Sequence, residues 1–170
     1  MDFEPYIRDI EDFPKSGVTF KDITPLLKNP LALTKACEAL LKSINGLKVD
    51  KVVGVDSRGF IFAPMLASKL GAGFIPVRKK GKLPYKTIAE SYDLEYGTDI
   101  LEMHTDAIQK GDRVLVHDDV LATGGTASAV CKLVEQLGGE VVQCNFLIQL
   151  TFLHGARKLD GYTIESLLKY

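Results

Sequence analysis

Residues 114–127 read VLVHDDVLATGGTA. The opening apolar run has the length and composition of a buried strand, and from Thr126 to Leu137 the residues Val130, Leu133, Val134 and Leu137 fall at helical spacing. Between the two, Gly124-Gly125 removes side-chain bulk where strand gives way to helix. A strand that empties through a Gly-rich turn into a helix is the start of a strand-helix-strand unit. Whether the rest of the chain repeats it decides the fold.

The rest does repeat it. KVVGV (51–55) is short, apolar and β-branched, and runs into Asp56, Ser57, Arg58 and Gly59. FIFAPMLASKL then supplies a helix ending at Gly71, with Pro64 in an early turn or at a kink. GFIPVR (73–78) reads as a further strand, Lys110-Gly111-Asp112 as a turn, and Gly138-Gly139 stops the helix that began at Thr126. VVQCNFLIQL (141–150) is a strand, and Ile164, Leu167 and Leu168 mark a final edge. Upstream, Asn29-Pro30 starts a helix carried by Leu33, Ala36, Cys37, Leu40 and Leu41 to a stop near Asn45-Gly46. Strands alternating with helices predict an α/β fold with a doubly wound, mainly parallel sheet. The opening residues, through KSGVTFKDITPLL, suit a covering segment. Charge reverses abruptly from the basic run at 78–86 to the acidic one at 90–106, which predicts a β-hairpin or a long excursion outside the sheet.

With 170 residues and 46% hydrophobic content, the chain predicts one domain over 1–170. A net charge of −1 means that an anionic ligand must be held by a local patch, and that nucleic acid is not attracted by the overall field. The first twelve residues carry five acids, and no apolar run is long enough to span a membrane, so a soluble cytoplasmic protein is expected. Cys37, Cys131 and Cys144 show no close pairing in sequence and read as small buried hydrophobes.

In a doubly wound sheet, ligands gather outside the carboxyl ends of the strands. Thr123, Gly124, Gly125 and Thr126 lead into a helix there, so backbone N–H groups and the positive helix end can surround a phosphate. The alternative is a solvent-exposed turn capped by acids. The stretch lacks the terminal lysine of the nucleotide-triphosphate P-loop and the G-x-G-x-x-G pattern. Asp118 and Asp119 would repel the same phosphate, and suit sugar hydroxyls or a cation travelling with the ligand. A phosphorylated sugar carries both kinds of group.

VLVHDDVLATGGTA also resembles the phosphoribosyl-diphosphate binding motif of the type I phosphoribosyltransferases. Together with GVTFKDITPLL, VDSRGFIFAPMLA, VRKKGKLP, ESYDLEYGTDILEMH and the closing SLLKY, it is similar to the adenine phosphoribosyltransferase family from about Phe13 to Tyr170. The resemblance implies the type I fold, with an N-terminal hood at 1–28 that binds the base and a flexible catalytic β-hairpin or loop at 79–104. It implies transfer of the 5-phosphoribosyl group from 5-phospho-α-D-ribose 1-diphosphate to N9 of adenine, giving AMP and diphosphate in purine salvage. Mg2+ would arrive mainly with the donor, with no dedicated protein cluster, and the enzyme would be a homodimer.

Residue by residue, the resemblance puts Asp118 and Asp119 on the ribose hydroxyls and Ala122, Thr123, Gly124, Gly125 and Thr126 on the 5′-phosphate. It puts Arg58 on diphosphate, near a peptide between Asp56 and Ser57 that family members often hold cis, with Arg78 and Lys82 adding positive charge. Glu95 and Tyr96 would be brought to the reacting centre by the loop from Pro84 to Gly97, with Glu95 handling the adenine N9 proton. Adenine would be read by backbone groups of Val18, Thr19, Phe20 and Lys21, with Phe20 and Leu150 as apolar walls. Thr19, Lys21, His117 and Tyr85 depart from the usual family residues.

Each role has a plainer counterpart. Arg58 can pair with Asp56 or cap an element, Lys79 and Lys80 can be a solvated face, and Glu95 can be an ordinary loop acid. Tyr85 and Tyr96 can pack the loop, and His117 reads first as a satisfied buried imidazole. Transfer to hypoxanthine, guanine or xanthine is the competing enzymatic reading. A phosphoribosyl-diphosphate sensor that binds nucleic acid would need a basic surface or a DNA-binding motif, and neither is evident.

Overall fold

The computed structural model describes residues 1–93 and 98–170, which fall into two compact units, Met1–Ala39 and Leu40–Tyr170. In the first, β1 (Arg8–Ile10) runs antiparallel to β2 (Phe20–Asp22), with Arg8 opposite Asp22 and Asp9 opposite Lys21. Both cross-strand pairs are ionic, Arg8 Nε lying 3.0 Å from Asp22 Oδ2 and Lys21 Nζ 2.7 Å from Asp9 Oδ1. Asp22 also accepts the Thr24 amide at 2.9 Å, and that bond leads in holding its carboxyl down at about 2, the Arg8 guanidinium adding to it. α1 (Thr24–Lys28) follows, and α2 (Pro30–Ser43) starts as the Asn29-Pro30 pair predicts, with Asn29 Oδ1 accepting the Ala32 amide at 3.0 Å.

The second unit is built on a seven-stranded sheet. Its strands are β3 (Lys51–Val55), β4 (Gly73–Lys79), β5 (Thr87–Asp93), β6 (Thr98–His104), β7 (Arg113–Leu121), β8 (Glu140–Gln149) and β9 (Ile164–Lys169), in spatial order β5-β6-β4-β3-β7-β8-β9. From β4 to β9 all neighbours are parallel, whereas β6 runs antiparallel to β4 and β5 antiparallel to β6. α3 (Gly59–Leu70) links β3 to β4, and α4 (Gly125–Gln136) links β7 to β8. The chain thus winds outward from β3 in one direction and from β7 in the other, which makes the gap beyond their carboxyl ends the switch point of the sheet.

The acidic tract does form a hairpin, but it does not leave the sheet. Arg78 pairs with Glu102 and Lys79 with Leu101, so β6 and β5 extend the β4 edge. The reason is hidden among the acids: Leu101 and Met103 are buried and Ile88 and Tyr92 pack on the same core. β7 also outruns the predicted apolar run, continuing through both acids to Leu121. Its partner β3 stops earlier, their pairing ending at Gly54 and His117, while β8 stays paired along β7 through Asp118 and beyond. Pro64 lies in the second turn of α3, where it cannot donate to the Phe60 carbonyl. All three cysteines are buried and free, and Cys131 Sγ on α4 meets Cys144 Sγ on β8 at 3.5 Å. Among the described residues, no helix is long and apolar enough to cross a membrane.

Candidate active site

His117, Asp118 and Asp119 stand where β7 passes the end of β3, and their side chains alternate in direction. His117 is fully buried, its Nδ1 2.7 Å from Asn145 Oδ1 on β8 and its ring edge-on to Phe62 on α3. Burial pushes its pKa down to about 4 against the opposing pull of Asn145, so the ring is neutral at physiological pH.

Asp118 and Asp119 are held by the start of α3. Arg58, at the residue preceding that helix, places Nε 2.9 Å from Asp119 Oδ2. A Cβ on Gly59 would lie 2.9 Å from Asp118 Oδ1, so the helix reaches the acids because that residue has no side chain. Burial raises the Asp118 pKa well above the ordinary carboxylate value, and the Asp119 charge raises it further. Burial also raises Asp119, with Arg58 opposing it.

Asp56 is held from β4. Its Oδ2 accepts Arg78 Nε at 2.8 Å, and Arg78 also donates to the Lys82 carbonyl at 3.1 Å. Arg78 therefore ties the β3 end to the basic turn that follows β4. The Asp56–Ser57 peptide is cis.

The glycine turn forms its own pocket, about 70 Å³, lined by Asp118 and by Val120 to Ala127. Among the described residues no side chain caps the start of α4, whose first residues, Gly125 to Ala127, line this pocket. Gly124 has φ +79°, and a Cβ there would run into the Gly155 carbonyl. Beside this pocket lies a second, of about 270 Å³, lined by Asp56, Ser57, Arg58, Lys79, Tyr92 and both acids among others. Asp118 and Thr126 line both pockets.

The chain matches the phosphoribosyl transferase domain family over residues 23–163. Over its full length it is 62% identical to an adenine phosphoribosyltransferase of Christiangramia forsetii, covering 99% of that protein. It is 63% identical to an adenine phosphoribosyltransferase of Flavobacterium johnsoniae, covering all of it. The crystal structure of adenine phosphoribosyltransferase from Rhodothermus marinus superposes with a TM-score of 0.95 at 57% identity, over 99% of this chain and 96% of that one. The chain belongs to the adenine phosphoribosyltransferase family.

Within that family frame, Arg58, both acids and the Ala122–Thr126 turn converge on the two pockets. Arg78 is engaged with Asp56, and Lys82 is exposed on the following turn. Leu150 ends the β8 run, its amide bonded to the Leu121 carbonyl at 2.9 Å. In the N-terminal unit, Phe20 packs edge-on against Phe13 at 5.2 Å, Lys21 pairs with Asp9, and Thr19 is exposed. Val18 uses its amide and carbonyl in the turn, bonding Lys15 and Phe13. Tyr85 sets its exposed ring edge-on to His104. Glu95 and Tyr96 lie outside the described residues.

Nothing local in the sequence marks Gly155, Asn145, Tyr92 or Asp99 as part of the site, and Lys79 reads there as a solvated cation. The hairpin register carries Tyr92 and Asp99 opposite one another, and β4 pairing brings Lys79 to them. No local signal marks such neighbours, because they meet through strand pairing and loop packing.

Proposed function

We propose that a phosphoribosyl diphosphate spans the two pockets, with its 5′-phosphate on the Ala122–Thr126 turn, its ribose hydroxyls on Asp118 and Asp119, and its diphosphate beside Arg58. The activity is that of the family: the 5-phosphoribosyl group passes from this donor to N9 of adenine, forming AMP and diphosphate in purine salvage. The observation that carries the reading is the shared border at Asp118 and Thr126. A sugar bearing a phosphate at one end and a diphosphate at the other needs two anion sites flanking acceptors for its hydroxyls.

As the bond from C1′ to diphosphate breaks, positive character develops on the ribose and negative charge on the leaving group. Arg58, fixed by Asp119, faces that departing charge without having to reorient. Arg78 steadies Asp56 and the Lys82 turn, and Lys82 adds cationic field. Among the described residues no three His, Cys, Asp or Glu side chains converge on one point. Two carboxylates on a pocket wall fit a Mg2+ that keeps mostly water and substrate oxygens, and when bound it neutralises diphosphate charge. The base is read by backbone groups of residues 18–21, with Phe20 as an apolar wall, and Glu95 and Tyr96 act in catalysis, Glu95 accepting the N9 proton. The working enzyme is a homodimer in the cytoplasm.

Calorimetric titration with ribose 5-phosphate and with inorganic diphosphate, each in Mg2+, tests the arrangement. Both bind together, and Asp118→Asn weakens ribose 5-phosphate while leaving diphosphate within about twofold, since a charge-assisted contact to the hydroxyls is lost. Mutually exclusive binding of the two overturns the reading.

A further inference from the structure

Lys79 ends β4 on the wall of the larger pocket, in company with Arg58, Asp118 and Asp119. Its ammonium nevertheless lies 2.7 Å from Asp99 Oδ2, near the start of β6. Asp99 is well anchored: its Oδ1 accepts the Ile100 amide at 2.8 Å, and the Lys79 ammonium, that amide and the Tyr92 hydroxyl hold its carboxyl below the usual range.

The backbone around Lys79 is fastened to the same strand. Lys80 donates its amide to the Ile100 carbonyl at 3.1 Å, and the Gly81 amide bonds the buried Glu102 carboxylate at 2.9 Å. What retains freedom is the Lys79 side chain, which is 64% exposed against 23% for Asp99. So exposed a pair is screened by water and is easily exchanged for a multiply charged anion.

We propose that Asp99 is a positioning residue that competes with the diphosphate group for Lys79, holding the ammonium at the pocket edge until the anion takes it. The inference rests on the pocket reading above, in which this wall receives diphosphate. Asp99 then lowers the affinity for diphosphate and, by holding Lys79 in readiness, favours its release.

The test is calorimetric titration of inorganic diphosphate with Mg2+ into the wild type, Asp99→Asn, Lys79→Met and the double variant. Asn keeps an acceptor for the Ile100 amide, so the strand is preserved. Asp99→Asn tightens diphosphate by about two- to fivefold, the range of an exposed ion pair, and the gain disappears in the Lys79→Met background. The KM for the donor falls in parallel, whereas a purely structural role for Asp99 predicts weaker binding and a higher KM. Equal or weaker binding by Asp99→Asn, or the same gain without Lys79, overturns the proposal while leaving the pocket reading intact. If the wild type binds no diphosphate, the pocket reading fails and the proposal with it.

Discussion

Gly124 and Gly155 meet backbone to backbone, each occupying space that a Cβ on the other would need: a Cβ on Gly124 would strike the Gly155 carbonyl, and one on Gly155 the Ala122 carbonyl and the Gly124 amide nitrogen. The Ala122–Thr126 turn, on which we place the 5′-phosphate, therefore takes its shape from a residue some thirty positions later, in the segment that follows β8.

Gly155→Ala follows from this contact. The methyl has nowhere to go except into backbone, so the turn shifts, at a cost in stability of about 1–3 kcal/mol. Donor KM rises more than tenfold, while the far-ultraviolet circular dichroism stays unchanged. Steady-state kinetics with urea denaturation checks both, and a variant with wild-type KM contradicts the supporting role.

His117 makes the protein sensitive to acid. Its folded pKa of about 4 lies below the ordinary value of 6.5, so the fold favours the neutral ring. The stability this supplies is complete above pH 6.5 and is lost as pH falls from there toward 4, a span worth on the order of 3 kcal/mol. His117→Val flattens that part of the pH-stability profile. At pH 8 it loses about 1–3 kcal/mol, because Asn145 is left without its partner, and His117→Val with Asn145→Val recovers most of the loss. Denaturation midpoints at pH 8 and pH 5 decide it.

Asp118 shows the opposite sign. Its raised pKa means that the fold disfavours the carboxylate, so the protonated form's contribution is present below 3.8 and lost as pH rises through the folded value. At pH 7 Asp118→Asn therefore stabilises the protein, seen as a higher denaturation midpoint. The same change costs roughly 10- to 100-fold in kcat/KM, as an amide replaces the carboxyl group that we place on the ribose hydroxyls. A variant that is both less stable and fully active contradicts this account.

Much of this was legible in the chain. KVVGV, GFIPVR and VVQCNFLIQL became strands β3, β4 and β8, with α4 following the glycine turn, because unbroken apolar runs and helical spacing record burial directly. Asp118, Asp119 and the turn at 122–126 are contiguous, so one segment showed them together. Arg58 was legible only through family resemblance, since its partner is Asp119 across the switch point. Lys79 illustrates the remainder: in sequence it is one cation among several, and only β4–β6 pairing tells it apart from Lys80. The acidic hairpin was half read, because charge on one face conceals the alternate residues that pack inward.

Glu95 carries the proton chemistry in this account. Glu95→Gln lowers turnover at saturating substrates by about 10²- to 10⁴-fold, the range for loss of a general base. Nearly unchanged turnover, with chemistry shown to be rate-limiting, removes Glu95 from that role.

The most direct measurement is the initial rate of nucleotide formation from phosphoribosyl diphosphate and Mg2+ with adenine, hypoxanthine or guanine as acceptor, read as nucleotide and diphosphate released in equal amounts. The account predicts AMP from adenine, with kcat/KM at least about 100-fold above either oxopurine, because a site that pairs with the adenine edge leaves polar groups unmatched by the others. Comparable rates with hypoxanthine or guanine, or diphosphate release without AMP, would contradict it.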